Sequence, residues 1–193
     1  MKAELDVRGI AAIVLAAGES RRFGGPKQLA VHAGRTILEH VLARADEAGL
    51  EPIVAVVPVW LTRPAAMDAE RLRWVRNPHP ERGMSHSLEL AVEALPASST
   101  AAVILLGDQP TVPLTTIRAV LAARGERPLI VARAAGLDAP PVLLERSQFG
   151  LVARASGDAG LRSLLREHPE LVCAVEVEAH APDVDTPDDL GAL

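Results

Sequence analysis

Ala11-Ala-Ile-Val-Leu-Ala-Ala-Gly-Glu-Ser-Arg-Arg-Phe-Gly-Gly-Pro-Lys27 is the stretch that decides how the chain is read. Ala11–Ala16 is a continuous apolar run of strand length, suited to a strand buried on both faces. It runs into Gly18, two arginines, a Gly-Gly pair and a lysine. Glycines let the main chain approach a ligand and turn its N–H groups inward, while Arg21, Arg22 and Lys27 supply cationic donors. A triphosphate needs both. The order excludes a Walker A loop, in which Lys follows the second Gly directly and precedes Ser or Thr; Lys27 follows Pro26 and precedes Gln28. It also excludes G-x-G-x-x-G, because Ser20 stands two positions after Gly18. On composition alone, the alternative is a rim loop with solvated basic residues.

Outward from this stretch, short apolar runs alternate with segments of helical period. Pro52–Val57, Ala102–Leu106, Pro128–Ala132 and Leu171–Val177 are apolar or nearly so and suit further buried strands. Ile37, Leu38, Val41, Leu42 and Ala45 recur at helical spacing, with Gly49 closing that helix. Ser85 is a candidate cap for a second helix, with Leu88, Ala91, Val92 and Leu95 as its apolar stripe. Thr115–Ala123 and Ala159–Glu167 read as helices, and Pro58–Ala66 and Ala134–Pro141 as rim loops. Strands alternating with helices predict an α/β fold with a mainly parallel sheet. No repeat or linker divides the chain, so residues 1–193 read as a single domain. In such sheets ligands sit beyond the carboxyl ends of the strands.

Composition bounds the function. Hydrophobic residues make up 49% and aromatics only 2%, with no Tyr, so the core is built from Leu, Val, Ile and Ala. The net charge of −5 argues against a nucleic-acid partner, which normally calls for a basic surface. Cys173 is the single cysteine, which excludes an intramolecular disulfide or a multi-cysteine zinc site and suggests a buried, inert thiol. The acidic N-terminal residues make a poor signal peptide, and no apolar run approaches membrane-spanning length, so the expectation is a cytoplasmic protein with no membrane partner. The six histidines lack H-E-x-x-H spacing. His86 is a candidate for the pocket wall, and the other five are expected at the surface or in satisfied positions. Trp60 and Trp74 are expected to serve packing.

Two acidic segments stand out. Asp108 follows Ala102–Leu106 after a single glycine, and Gln109-Pro110 then breaks the strand. A carboxylate at a strand's carboxyl end can hold Mg²⁺, which takes one or two carboxylates together with phosphate oxygens and water. The alternative is a turn-forming Asp. In Asp183-Val-Asp185-Thr-Pro-Asp-Asp189, alternation sets Asp183 and Asp185 on one side if the segment is extended. Thr186, Pro187 and Asp189 match an N-cap, N1 and acidic N3, which assigns Asp188 and Asp189 to helix stabilisation.

Five motifs occur in order along nearly the whole chain: Leu15–Lys27, Arg82-Gly-Met-Ser-His-Ser-Leu88, Leu106-Gly-Asp-Gln-Pro110, Gly157-Asp-Ala-Gly160 and Asp183-Val-Asp-Thr-Pro-Asp-Asp-Leu190. Together they resemble the nucleotidyltransferases that mature the molybdenum cofactor, especially the molybdopterin cytidylyltransferase branch. The resemblance implies a three-layer αβα, Rossmann-like fold of the nucleotide-diphospho-sugar transferase type. It implies that the Ala16, Ala17 and Gly18 backbone meets the base, that Arg22 and Lys27 hold the phosphates, and that Gly83 and Ser87 contact the base or ribose. By the same resemblance, Asp108 and Asp185 are Mg²⁺ ligands, Asp183 is unassigned, and Asp158 belongs to the acceptor site.

The implied reaction moves NMP from an NTP to a phosphorylated acceptor such as molybdopterin, releasing pyrophosphate. Such chemistry works by positioning and charge neutralisation and requires no activated Ser, Cys or His. Relatives that use GTP tend to carry Gly where this chain has Ala17, which points to CTP. Where relatives commonly carry Gly-His-Pro or Gly-Asn-Pro, this chain has Asp138-Ala-Pro-Pro141, so an acceptor-side polar group is missing. The alternatives are a guanylyltransferase or other nucleotidyltransferase with a different acceptor, a glycosyltransferase using Asp183-Val-Asp185, and a non-catalytic carrier that delivers the cofactor to a molybdoenzyme.

Overall fold

The computed structural model describes residues 5–64, 70–154 and 160–193. The first apolar run forms β1 (Ile10–Leu15), and all six of its residues are buried. It lies between two parallel neighbours, β4 (Ile53–Pro58) and β6 (Ala101–Leu106), with Leu15 level with Val56 on one side and Leu106 on the other. A strand enclosed on both edges and both faces has no polar side, which accounts for its unbroken apolar sequence. Alternate residues point to opposite faces. Ile10, Ala12 and Val14 join a core with α1 (Ile37–Glu47) and α3 (Leu114–Ala122). Ala11, Ile13 and Leu15 join a second core with α2 (Met84–Glu93) and α4 (Gly160–Glu167). Three layers, αβα, result.

The sheet has seven strands in the order β5-β4-β1-β6-β8-β7-β9. Beyond β1, β4 and β6 these are β5 (Leu72–Asn77), β7 (Leu129–Ala134), β8 (Leu137–Glu145) and β9 (Val172–Glu176). Every neighbouring pair is parallel except the two that involve β8. A small antiparallel pair, β2 (Val31–His32) and β3 (Arg35–Thr36), leads into α1. From β1 the chain moves through α1 to β4 and β5, then returns through α2 on the other face to β6. The order of strands therefore reverses between β1 and β6, where an open α/β sheet forms its ligand crevice.

Local signals explain most boundaries. Thr36 caps α1 in a reciprocal box, its hydroxyl accepting from the Glu39 N–H at 3.2 Å while Glu39 accepts from the Thr36 N–H at 2.8 Å. Gly49, with φ 77°, ends that helix as predicted. A second box, Thr186 with Asp189, starts α5 (Pro187–Gly191), as the sequence predicts.

Four expectations need correction. Ala134–Pro141 is not a loop, because β8 begins at Leu137. Val131 pairs with Val142 and Ala132 with Ala139, so Pro140 and Pro141 fall in a bulge where no ladder N–H is needed. Ser85 does not cap α2, whose N-cap is Gly83 at φ 84°; Ser85 lies inside the first turn and is buried. Trp60 does not pack, standing 53% exposed in the turn just past β4, whereas Trp74 is partly buried and donates its indole N–H to the Leu61 carbonyl. Cys173 is only partly buried at the margin of the first core. Among the described residues, no helix is long and apolar enough to cross a membrane.

Candidate active site

The crevice between β1 and β6 opens into a cavity of about 310 Å³. Its floor is the chain leaving β1, Ala16 to Gly18, and one wall is the chain leaving β6, Gly107 and Asp108. The two are packed against each other. A Cβ on Gly107 would stand 2.6 Å from the Ala16 Cβ and 3.1 Å from the Leu15 carbonyl oxygen, so any larger residue must displace the chain leaving β1. The opposite wall comes from the start of α2, with Gly83, Met84 and Ser87, and from Pro80 before it. Arg21, Arg22 and Lys27 complete the lining together with Asp185.

A single turn of 3₁₀ helix, Lys27–Leu29, aims Lys27 inward. Its ammonium donates to Asp108 Oδ2 at 2.7 Å and to Asp185 Oδ1 at 3.1 Å, and the side chain is only 12% exposed. Arg22 reaches the other oxygen of Asp185 at 2.9 Å but remains 74% exposed, so it sits at the mouth. Arg21 pairs with Glu19 on the rim. Burial alone would draw protons off Lys27, yet the two carboxylates outweigh it and hold the ammonium above its ordinary pKa. Burial raises Asp108 above the ordinary carboxylate value, and the Lys27 charge offsets only part of that.

Asp185 arrives from the other end of the chain. The segment before α5 crosses the site, and the Val184 N–H donates to the Asp108 carbonyl at 2.9 Å while the Val184 side chain is fully buried. Asp183 projects away from the cavity and accepts from Gln109 Nε2 at 2.9 Å. Alternation about Val184 thus does not bring the two acids to one site. Asp185 joins Asp108, and Asp183 ties the crossing segment to β6.

A divalent cation fits this donor set. Asp108 Oδ1 is buried and has no hydrogen-bond partner, a costly state for a carboxylate oxygen unless a cation supplies one. Among the described residues no cluster of three or more His, Cys, Asp or Glu gathers for a metal. Two carboxylates with room for phosphate oxygens and water is the arrangement a hard divalent cation takes in phosphoryl-transfer sites.

Residues 12–172 match the MobA-like NTP transferase domain family. The chain belongs to it. This membership makes it a nucleotidyltransferase, and the matched span includes Lys27 and Asp108, whereas Asp185 lies beyond it. The chain is similar to nicotine blue oxidoreductase of Paenarthrobacter nicotinovorans, at 30% identity over 195 residues and 95% of both chains. It is similar to purine catabolism protein PucB of Bacillus subtilis, at 29% identity and 92% of both chains. Among solved structures, Rv0371c from Mycobacterium tuberculosis H37Rv aligns with a TM-score of 0.83 at 31% identity, over 95% of this chain and 96% of that one. A crystal structure of Rv0371c in complex with manganese aligns with a TM-score of 0.81 at 31% identity, over 95% of this chain and 97% of that one.

Set against the MobA-like pattern, Ala16, Ala17, Gly18, Arg21, Arg22, Lys27, Gly83, Ser87, Asp108 and Asp185 all line the one cavity. Asp158 lies outside the described residues. His86 is not in the cavity lining; its ring nitrogen pairs with Glu89 at 3.3 Å on its own helix. Sequence reasoning missed two buried amides. Asn77, at the end of β5, donates to the Ser87 hydroxyl at 2.9 Å and accepts from the His79 N–H at 2.8 Å. Gln28, next to Lys27, is 2% exposed and bonds to the loop after β1. Gln28 follows the quoted motif directly, and its signal was a polar side chain between Lys27 and an apolar run.

Proposed function

We propose that the enzyme transfers CMP from CTP to a phosphorylated small molecule of the molybdopterin type, with Mg²⁺ as cofactor and pyrophosphate as the leaving product. The observation that carries this is the Lys27 ammonium lodged between Asp108 and Asp185 in a cavity also lined by Ala16–Gly18, Arg22, Gly83 and Ser87. An acceptor phosphate oxygen attacks the α-phosphorus, and the bond from that phosphorus to the bridging oxygen of pyrophosphate breaks. Lys27 and Arg22 balance the charge of the two anions that must meet, and the Ala16–Gly18 and Gly83 backbone with the Ser87 hydroxyl hold the base and ribose. Asp108 and Asp185 would hold Mg²⁺, which supplies charge neutralisation on the phosphates. Ala17 stands where GTP-using members of the resembling family tend to carry glycine, which supports CTP. Residues 1–193 act as one catalytic domain in the cytoplasm, with the product passing to a molybdoenzyme.

A different phosphorylated acceptor is the second reading, favoured by one observation. Asp138 is held by Arg133 through bonds of 2.6 and 2.9 Å, so the residue standing near the family's acceptor-side element is already paired. The test is pyrophosphate release with Mg²⁺, each of CTP, GTP, ATP and UTP, and molybdopterin. Release with CTP and molybdopterin supports the leading reading. Nucleotide binding, read as a thermal shift, without release on molybdopterin moves the proposal to another acceptor. A panel in which no nucleotide shifts the melting temperature overturns both, since a ligand at a hundred times its Kd adds about 2.7 kcal/mol.

A further inference from the structure

Gln28 is fully enclosed, and every hydrogen-bonding group of its side chain is spent on one loop. Its Nε2 donates to the carbonyls of Ala16 and Gly18, each at 2.9 Å. Its Oε1 accepts from the Ser20 hydroxyl at 3.3 Å, with Ser20 in the left-handed region at φ 56°. Two carbonyls and one hydroxyl leave a single sensible orientation for the amide, with nitrogen toward the carbonyls.

The consequence for the main chain follows from peptide geometry. A trans peptide directs its C=O and N–H to opposite sides. Pinning the Ala16 carbonyl onto Gln28 turns the Ala17 N–H away from it, and pinning the Gly18 carbonyl does the same for the Glu19 N–H. Among the described residues neither N–H has a protein acceptor. Ala17 lines the cavity that also holds Lys27 and Arg22, and Glu19 lies between the lining residues Gly18 and Ser20, so two oriented and unsatisfied donors there are suited to an anionic, acceptor-rich ligand. Ala16 and Ala17 are packed in the two cores, but Gly18 has no side chain to anchor and Ser20 only a short one, so the buried amide beneath the loop fixes the carbonyls where packing ends.

We propose that Gln28 is a positioning residue for nucleoside triphosphate binding: its side-chain amide grips the Ala16 and Gly18 carbonyls and so presents the Ala17 and Glu19 N–H groups to the nucleotide. This rests on the nucleotidyltransferase reading above. Lys27 and Gln28 are consecutive, and the one turn serves two tasks, with Lys27 facing the carboxylates and Gln28 facing the loop.

The test measures CTP affinity, in the presence of Mg²⁺, for the whole chain and for Gln28→Leu and Gln28→Met, with KM and kcat read in parallel by pyrophosphate release. Methionine refills the same space with a flexible unbranched chain, which keeps the test alive if the leucine variant does not fold. Loss of two donors to loop carbonyls is expected to raise Kd and KM about tenfold or more, with a much smaller change in kcat. Gln28→Glu adds a readout that a purely structural role would not move. Its carboxylate faces two carbonyls at neutral pH and binds CTP poorly, and affinity recovers as the pH falls and the buried carboxyl regains a proton to donate. Affinity within twofold of wild type in the folded variants, whatever their melting temperature, overturns the proposal. So does a Gln28→Glu variant whose affinity deficit does not change with pH. A wild-type chain that binds none of the four nucleotides brings down the nucleotidyltransferase reading itself, whereas wild-type binding with unaltered variants removes only the role of Gln28.

Discussion

The two halves of the sheet carry different burdens. In the β5-β4-β1-β6 half all strands run the same way, and the chain leaving them builds the crevice: Ala16–Gly18 after β1, Gly107 and Asp108 after β6, and Asn77 at the end of β5, which holds Ser87. In the β8-β7-β9 half β8, the strand beside β6, is reversed, so it directs its carboxyl end toward Arg146, on the opposite rim. Among the described residues, that half reaches the crevice through the segment after β9, which bonds to the chain leaving β6 at Val184 and delivers Asp185. Chemistry is concentrated where parallel strands end together, and the reversed strand serves mainly to widen the core. Mutations in the two halves should therefore fail in different ways.

The largest separation is expected at Lys27. Lys27→Met removes an enclosed ammonium from the cavity and should lower pyrophosphate release about 10³-fold while the chain remains folded. It also frees Asp108 and Asp185 from their shared partner, so Mn²⁺ binding to the nucleotide-free protein, followed by calorimetry, should tighten. A variant that keeps turnover within tenfold of wild type would remove the catalytic assignment.

Leu143→Ala probes the other half. Leu143 is fully buried in β8, level with Val103 on β6 and Ile130 on β7. Truncation should cost about 2–5 kcal/mol in urea denaturation. The fraction that remains folded should retain kcat and the affinity for CTP. A large loss of kcat in folded protein would mean that the halves are coupled more tightly than their separate contacts imply. Gly107→Ala lies between these extremes, because its new methyl meets Ala16 at 2.6 Å in the crevice itself. It should cost about 1–3 kcal/mol by overpacking and, by shifting the loop floor, lower kcat/KM by about 10². Unchanged kinetics there would show that the floor yields without consequence.

The same contrast decides what was legible in the sequence. β1, β4 and β6 are buried on both faces, so their apolar runs announce them directly. β5 is an edge strand with exposed Arg73 and Arg76, and its alternation was too diluted by charge to stand out. β8 was hidden by Pro140-Pro141, which reads as a loop unless the bulge that admits it is known. In the site, Lys27, Asp108 and Asp185 were legible because motif position and charge mark them. Gln28 and Asn77 were not, since an amide side chain has no pattern of its own and acquires its role only when folding sets carbonyls or a hydroxyl against it. Asp183 stayed unassigned in the sequence, because alternation gives a side of the segment but not what stands on that side; the structure pairs it with Gln109.

The smallest expected effect separates the two capping boxes. The backbone N–H of Thr36, then its hydroxyl, holds the Glu39 carboxyl below the ordinary 4.5. Bonds from the Thr186 hydroxyl, then from the Thr186 and Asp185 N–H groups, hold Asp189 below 3.8. A carboxyl lowered on folding contributes stability that is complete above its unfolded pKa and lost as the pH falls through its folded value. Asp108, raised by burial, has the opposite sign: the folded chain holds its proton more tightly, so stability declines as the pH rises through its folded value. Thr36→Ala should therefore cost about 1 kcal/mol at pH 7. The difference from wild type should shrink once the pH falls below the depressed Glu39 value, because the wild-type carboxylate is then protonated as well. Urea titrations of both proteins across that acid range read the change. Since α1 packs on β1 and precedes Ile53, the cost should appear as lost global stability with CTP affinity intact. A Thr36→Ala deficit that is the same at every pH would mean that Thr36 acts through its packing and not through the box with Glu39.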